Sequence, residues 1–213
     1  MRRLGALLDV SGCVRIAILF PTAARCYADL TTMETLYYSR MSSPVGPLLI
    51  GVSDTALVIL EFDRGLPKLV NGAEVEWRES EPKTRHVRKQ LDEYFAGKRR
   101  DFDLDLDLRG TEFRKRCWEQ LLAIPYGKTR SYGEIARAVG NPLGSRAVGQ
   151  ANHYNPIAII VPCHRVLAGG CKLGGYGGGL PVKAFLLKLE GAEFRDEAQA
   201  LEPQQLTLAG DKP

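Results

Sequence analysis

The hydrophobic pattern of this chain changes period once, near residue 110, and that change limits the folds open to it. From Thr35 to Phe62, three β-rich runs, "TLYYSRM", "PLLIGVS" and "ALVILEF", are separated by the turn-forming stretches "SSPVG" and "DT". That spacing predicts an antiparallel meander. A helix is expected over "PKTRHVRKQLDEYFAGK", where Val87, Leu91, Tyr94 and Phe95 share one stripe and Gly97 ends it. "DFDLDLDL" then alternates strictly from Asp101 to Leu108. It predicts a strand with Phe102, Leu104, Leu106 and Leu108 inward and the aspartates on its wet face. Beyond Thr111 the apolar spacing becomes helical. Strands with one helix, followed by helices, define an α+β chain.

In the second half Thr111 is placed to cap "EFRKRCWEQLLAI", whose apolar stripe is Phe113, Cys117, Leu121 and Leu122. Ser131 and Glu134 have the spacing of a capping box, and the helix they open stops at Gly140. "NPLG" turns the chain, and Ser145 reads as the cap of a second short helix, "RAVGQAN". Helix, tight turn, helix is the helix-turn-helix pattern, although helical hairpins that bind nothing share it. Ala147, Val148, Gly149 and Ala151 are small, so this helix can lie close to whatever it touches. Arg146 sits in its first turn, where a cation gains nothing from the helix dipole. Its guanidinium therefore reads as placed for a partner.

Charge separates the two halves further. The net charge is +4 over 213 residues. Residues 34–110 carry 12 basic and 14 acidic side chains, whereas residues 111–191 carry 11 basic and 4 acidic. A basic segment of this kind fits a polyanion such as nucleic acid, or simply a solvated basic face. No stretch approaches the roughly 18 apolar residues of a membrane span. Five cysteines without regular spacing do not form a disulfide framework, which points to a reducing compartment, the cytoplasm. Residues 1–32 read as an extension, with the working protein starting near Met33. Residues 33–108 and 109–191 read as two domains, and residues 192–213 as a polar tail.

The chemistry concentrates in "IIVPCHRVLAGG", Ile159 to Gly170. An apolar run delivers Cys163, His164 and Arg165 side by side. Cys163 can be an inert packed thiol, a metal ligand or a nucleophile. A nucleophile needs thiolate, and a thiol near pKa 8.5 needs a base or a positive charge to supply it. On an extended segment neighbours point apart, so His164 reaches Cys163 only across a turn or through a water. "LPVKAFLLKLEG" predicts a helix with Pro181 in its first turn and Gly191 as its stop. Glu190 then lies at the dipole's unfavourable end. It is either solvated or compensated by a partner such as His164, in the manner of nucleophile–base–orienter sets. Asn155, held out of the helical region by Pro156, is suited to bonding backbone in a turn. Seven glycines lie between Gly169 and Leu180, with Tyr176 among them, as suits a pocket wall. No cysteine pair has zinc-site spacing, so no metal is expected.

"IPYGKTRSYGEIA", "SRAVGQANHYNPIAIIVPCHRV", "GGYGGGL" and "KAFLLKLEG" together resemble the methylated-DNA–protein-cysteine methyltransferases, also called O6-alkylguanine-DNA alkyltransferases. The resemblance runs from about Met33 to Gly191. It implies a ribonuclease-H-like α/β domain followed by a winged-helix-like catalytic domain. It implies a monomer that binds double-stranded DNA containing O6-alkylguanine, flips the base, and moves the alkyl group to Cys163 once, without a cofactor. O4-methylthymine is a second possible substrate. By resemblance, His164 takes the thiol proton through a water, Glu190 orients His164 and Asn155 braces the turn. Arg146 fills the vacated stack, and Tyr132 rotates the 3′ phosphate and bonds the base. The backbone of Val166 and Gly177 and the ring of Tyr176 read or cover the guanine, and Lys183 supports the pocket. Cys171, Phe185 and Gly177 depart from the residues usual there. Relatives with tryptophan in place of the cysteine bind lesions without transfer. A cysteine hydrolase would leave Arg146 without a role.

Overall fold

The computed structural model describes residues 33–70 and 72–195. The extension read at residues 1–32 and most of the polar tail, residues 196–213, lie outside the described residues. Strands β1 (Glu34–Met41), β2 (Leu48–Val52) and β3 (Leu57–Phe62) form the expected antiparallel meander. Two further strands, β4 (Leu69–Val70) and β5 (Ala73–Glu79), complete a sheet of order β3-β2-β1-β5-β4, with β5 parallel to β1. The reading of the sequence did not find β5. Its "AEVEWRE" alternates charge with few apolar residues, because most of the strand is exposed.

Helix α1 (Glu81–Phe95) covers the sheet with Thr84, Val87, Leu91 and Tyr94 buried. The Thr84 and Ser39 hydroxyls meet at 2.6 Å in this interface. The segment Asp101–Leu108 is a correction: it is extended but is not a strand. It joins the sheet at one bridge, Leu57 to Leu106. Its alternation still sorts the faces, since Phe102, Leu104, Leu106 and Leu108 pack on the core and Asp101, Asp103 and Asp105 are exposed.

The second half contains α2 (Glu112–Leu122), β6 (Arg130–Ser131), α3 (Tyr132–Ala138), α4 (Ser145–His153), β7 (Val166–Leu167) and α5 (Leu180–Leu189). The Ser131–Glu134 capping box is present. Ser145, however, is the first helical residue of α4, and the cap is Gly144. A side chain at 144 would collide with Asn141, its Cβ only 2.3 Å from the amide nitrogen. The Trp118 indole donates to the Ala151 carbonyl at 2.9 Å and ties α2 to α4.

One contact between the halves positions the site. The free edge of β3 accepts the chain that leads to Cys163: Leu60 N–H donates to Pro156 O at 2.9 Å, and Ala158 N–H donates to Leu60 O at 2.7 Å. This covers an edge that would otherwise present unpaired backbone. It also merges the two halves into one core running from Met41 to Leu186. Among the described residues, no helix is long and apolar enough to cross a membrane.

Candidate active site

Asn155 organises the approach to Cys163. Its Oδ1 accepts from Ile157 N–H at 3.1 Å, and its Nδ2 donates to Val161 O at 2.8 Å and to Cys163 Sγ at 3.2 Å. One amide thus closes the turn and touches the thiol. Within that turn Ile159 has φ +71°, a conformation costly for a β-branched residue. Such strain persists only where the surroundings over-determine it, and here it lies four residues from the thiol.

Cys163, His164 and Arg165 form a 3-10 turn rather than an extended segment. Their side chains therefore do not alternate between inside and outside. All three are buried; His164 and Arg165 bond Glu190, and Cys163 bonds Asn155. Glu190 caps the C-terminal end of α5 and is itself buried. Its carboxylate accepts from His164 Nε2 at 2.9 Å, from Arg165 Nε and Nη2 at 2.8 and 2.9 Å, from the Tyr94 hydroxyl at 2.8 Å and from Gly127 N–H at 3.3 Å. Arg165 Nη1 also donates to Ile124 O at 2.6 Å.

These contacts set the charges. Burial alone would raise the Glu190 carboxyl, but hydrogen bonds from His164 and Arg165 hold it well below the usual carboxylate range. Burial lowers the His164 pKa, and the Arg165 and Lys183 cations lower it further against the pull of Glu190. His164 is therefore a neutral imidazole. With Glu190 accepting from Nε2–H, the basic nitrogen is Nδ1, which has no protein partner.

Lys183 is a fully buried ammonium. It donates to Val166 O at 2.6 Å and to Leu173 O. Burial lowers its pKa to about 8, against the opposing pull of Cys163. Burial raises the Cys163 thiol, while the Asn155 bond and the Lys183 charge act the other way. Cys117, buried in α2 with only a weak opposing pull from Arg116, is pushed up to about 11 and belongs to the core. The two buried thiols differ because Cys163 has a hydrogen-bond donor, Asn155, and the Lys183 cation acting towards thiolate, whereas Cys117 has the Arg116 charge alone.

A cavity of about 270 Å³ opens onto Cys163, lined by Tyr132, Gly149, Asn152, His153, Gly175, Tyr176 and Gly177. Arg146 lies in an adjoining shallow groove, which shares Tyr132, Gly149 and Gly175 with the cavity. Burial and the neighbouring Cys163 raise the Tyr132 and Tyr176 hydroxyls, so both remain protonated. The first half supplies the outer wall. Arg64 Nη2 donates to Gly177 O at 2.7 Å, and the Phe62 ring meets Tyr176 edge-on at 5.9 Å. Phe62 also presses on Gly178, where a Cβ would lie 2.5 Å from its ring.

The structure thus brings Cys163, His164, Asn155, Glu190, Lys183, Tyr132, Tyr176 and Gly177 together. Val166 contributes its carbonyl to Lys183. Cys171 is exposed and does not line the cavity; its φ of +60° is the strained conformation that a usual glycine would relieve. Gly177 has nothing within 4 Å of an added Cβ, and Phe185 is partly exposed on α5. Among the described residues, no group of three or more His, Cys, Asp or Glu side chains is placed to hold a metal ion. Sequence reasoning missed three members of the site. Tyr94 read only as core. Arg165 stood beside Cys163 and His164 in the sequence without an assigned role. Asn152 went unmarked, although it sits three residues after Gly149 on the same helical face.

A buried thiol, a neutral histidine oriented by a carboxylate, and a helix-turn-helix beside one cavity define a DNA-directed, cysteine-dependent transfer site. Residues 36–108 match the 6-O-methylguanine DNA methyltransferase ribonuclease-like domain, and residues 112–192 match the DNA-binding domain of the same family. The chain belongs to the 6-O-methylguanine DNA methyltransferase family. It is 50% identical over 159 residues to the methylated-DNA–protein-cysteine methyltransferase of Methanosarcina acetivorans, covering 74% of this chain and 99% of that one. It is 48% identical over 155 residues to the Mycobacterium tuberculosis protein of the same name, covering 73% and 92%. The crystal structure of Mycobacterium tuberculosis OGT in complex with DNA superposes with a TM-score of 0.67 at 46% identity, over 73% of this chain and 92% of that one.

Proposed function

We infer that this protein repairs DNA by direct reversal, moving the alkyl group of O6-alkylguanine irreversibly to Cys163. The observation that carries the reading is His164, held at Nε2 by Glu190 at 2.9 Å and unpartnered at Nδ1, beside a thiol bonded by Asn155. His164 Nδ1 accepts the thiol proton through a water. The thiolate attacks the alkyl carbon, a sulfur–carbon bond forms and the carbon–O6 bond breaks. The electron pair passes into the guanine ring, which takes up one proton, so the thiol hydrogen is balanced on the restored guanine, still joined to the DNA. The thioether resists water, so each molecule acts once and needs no cofactor.

The partner is double-stranded DNA, with the lesion flipped into the cavity at a cost in unstacking. Arg146, in the groove beside Tyr132, fills the vacated stack. Tyr132 rotates the 3′ phosphate and bonds the base. The Val166 and Gly177 backbone and the Tyr176 ring read or cover it. Lys183 favours thiolate and supports the pocket. Residues 33–108 serve as the ribonuclease-like domain and 109–191 as the catalytic domain of a cytoplasmic monomer.

The test mixes the protein with duplex DNA carrying radiolabelled O6-methylguanine and maps the label by peptide mass spectrometry. One methyl per protein on the Cys163 peptide is expected. Cys163→Ala transfers nothing yet still binds DNA. Label on another residue, or repeated turnover, would overturn the reading.

A further inference from the structure

Tyr94 belongs to the first half, yet its hydroxyl bonds Glu190 of the second. It sits in the last turn of α1 and is fully buried. Its ring is enclosed by those of Phe95, Phe102 and Tyr126, with centroids 5.4, 5.5 and 6.3 Å away. A phenylalanine would fill the same slot without the cost of burying a hydroxyl. The hydroxyl therefore asks for a role beyond packing.

The atom it bonds points to that role. Tyr94 donates to Glu190 Oε1 at 2.8 Å, the oxygen that also takes His164 Nε2 and Arg165 Nη2, each at 2.9 Å. The other oxygen, Oε2, takes Arg165 Nε at 2.8 Å and Gly127 N–H at 3.3 Å. Tyr94 thus holds the oxygen that orients the histidine. Burial, reinforced by the Glu190 charge, pushes the Tyr94 hydroxyl far up, so it keeps its proton and remains a donor. A donor on a carboxylate oxygen fixes that oxygen in place. It also draws charge from it, so the carboxylate favours a neighbouring cation less.

This inference rests on the transfer reading and deepens it. We propose that Tyr94 is a positioning residue for the reaction: its hydroxyl holds Glu190 Oε1 against His164 Nε2 and takes a share of that oxygen's charge, which leaves His164 Nδ1 open to the thiol proton. The state of His164 is a balance. Glu190 favours the imidazolium, whereas burial and the Arg165 and Lys183 cations oppose it. Cys163, Tyr126 and Tyr176 also face this pair, and burial holds each of them in its protonated form below about pH 8. Tyr94 adds to the side that opposes the imidazolium. Through it, the scaffold half reaches the proton acceptor.

The experiment measures single-turnover transfer from duplex DNA carrying O6-methylguanine, at about pH 8 and about pH 5.5, for the full chain and for Tyr94→Phe. Without the hydroxyl, more charge stays on Oε1, the His164 pKa rises, and the acid limb of the profile moves to higher pH. The variant is therefore expected to lose several-fold more of the wild-type rate at the lower pH than at the higher. Val87→Ala, on the same buried face of α1, controls for damage to the helix, and its rate relative to wild type should not depend on pH. Nitrogen NMR of the His164 imidazole gives a reading that needs no DNA. Wild type should keep the neutral Nε2–H form to lower pH than Tyr94→Phe. The same His164 titration in both proteins, or a variant-to-wild-type rate ratio independent of pH, would overturn the proposal. If Tyr94→Phe does not fold, the wild-type spectrum decides: the neutral Nε2–H form at about pH 6.5 supports the proposal, and an imidazolium there overturns it. Wild type that transfers nothing would overturn the transfer reading, while the nitrogen spectra would still test Tyr94.

Discussion

The two halves of the molecule bury different things. In the first half, the buried polar side chains are Ser39 and Thr84, two hydroxyls that satisfy each other. Its charges pair at the surface, as in Lys83–Asp54 and Arg78–Glu76. In the second half, His164, Arg165, Lys183 and Glu190 are all buried. A buried charge network is weak support for a fold, because desolvation offsets much of the attraction. The first half is built as a scaffold. The second accepts costly groups because they set the protonation state of one thiol. The lesson is that electrostatic burden marks the reacting half, while the other half contributes through single reaches across the interface: Tyr94 to Glu190, Arg64 to Gly177 and β3 to the Pro156–Ala158 segment.

That contrast can be broken by substitution. The largest effect is expected for Glu190→Gln, which leaves the Arg165 guanidinium buried without its counter-charge. Thermal unfolding should show a loss of about 3–5 kcal/mol, and transfer should fall with it as His164 loses its orienter. A variant with wild-type stability would show that the network is not under the stated electrostatic load.

Lys183→Met comes next. The ammonium lowers the thiol pKa, so its removal should slow Cys163 labelling by iodoacetamide near neutral pH several-fold. The wild-type labelling rate should level off above about pH 8, where Lys183 loses its charge, and the variant should lose that feature. The linkage to folding has a definite sign. The Lys183 pKa falls from 10.5 to about 8 on folding. Its contribution to stability is therefore complete above pH 10.5 and is lost as pH falls towards 8. Chemical denaturation across that window, compared with Lys183→Met, isolates it.

Tyr94→Phe tests the reach from the first half. It removes one hydrogen bond to a charged acceptor that keeps its other donors, so about 2 kcal/mol of stability is expected to go. The transfer rate should change less than in Glu190→Gln. The smallest effect belongs to Lys83→Ala. Its partner Asp54 is exposed, and the thermal midpoint should not move measurably. If Lys83→Ala destabilised the protein as much as Glu190→Gln, the contrast between the halves would fail.

Much of this was legible in the sequence because it is local. The meander follows from alternating β-branched runs, the α3 start from Ser131 and Glu134, and the α5 stop from Gly191, whose φ is +68°. Strand β5 was not found although Val75 and Trp77 alternate with charged residues, because the run is short and mostly exposed and its partner β1 lies far off in the chain. The strand expected at Asp101–Leu108 had the alternation but found a partner at one point only, and pairing is not a property of one segment. Ser145 had the chemistry of a cap, but α4 begins at Ser145 itself and Gly144 takes the cap position, where Asn141 crowds any side chain.

What the sequence by itself determined was the order of chemistry along the chain: a β-rich half, a basic helical half, and a thiol followed at once by an imidazole. Residue type and spacing act over a turn or two, and those statements need no more. Only the tertiary structure decided which of the groups meet. Glu190 lies 26 residues from His164 and Tyr94 lies 96 from Glu190, yet one carboxylate takes both. It also decided that Cys117 is inert while Cys163 has thiolate-stabilising neighbours. Burial and Coulomb interactions depend on distance through space, and the fold alone sets those distances.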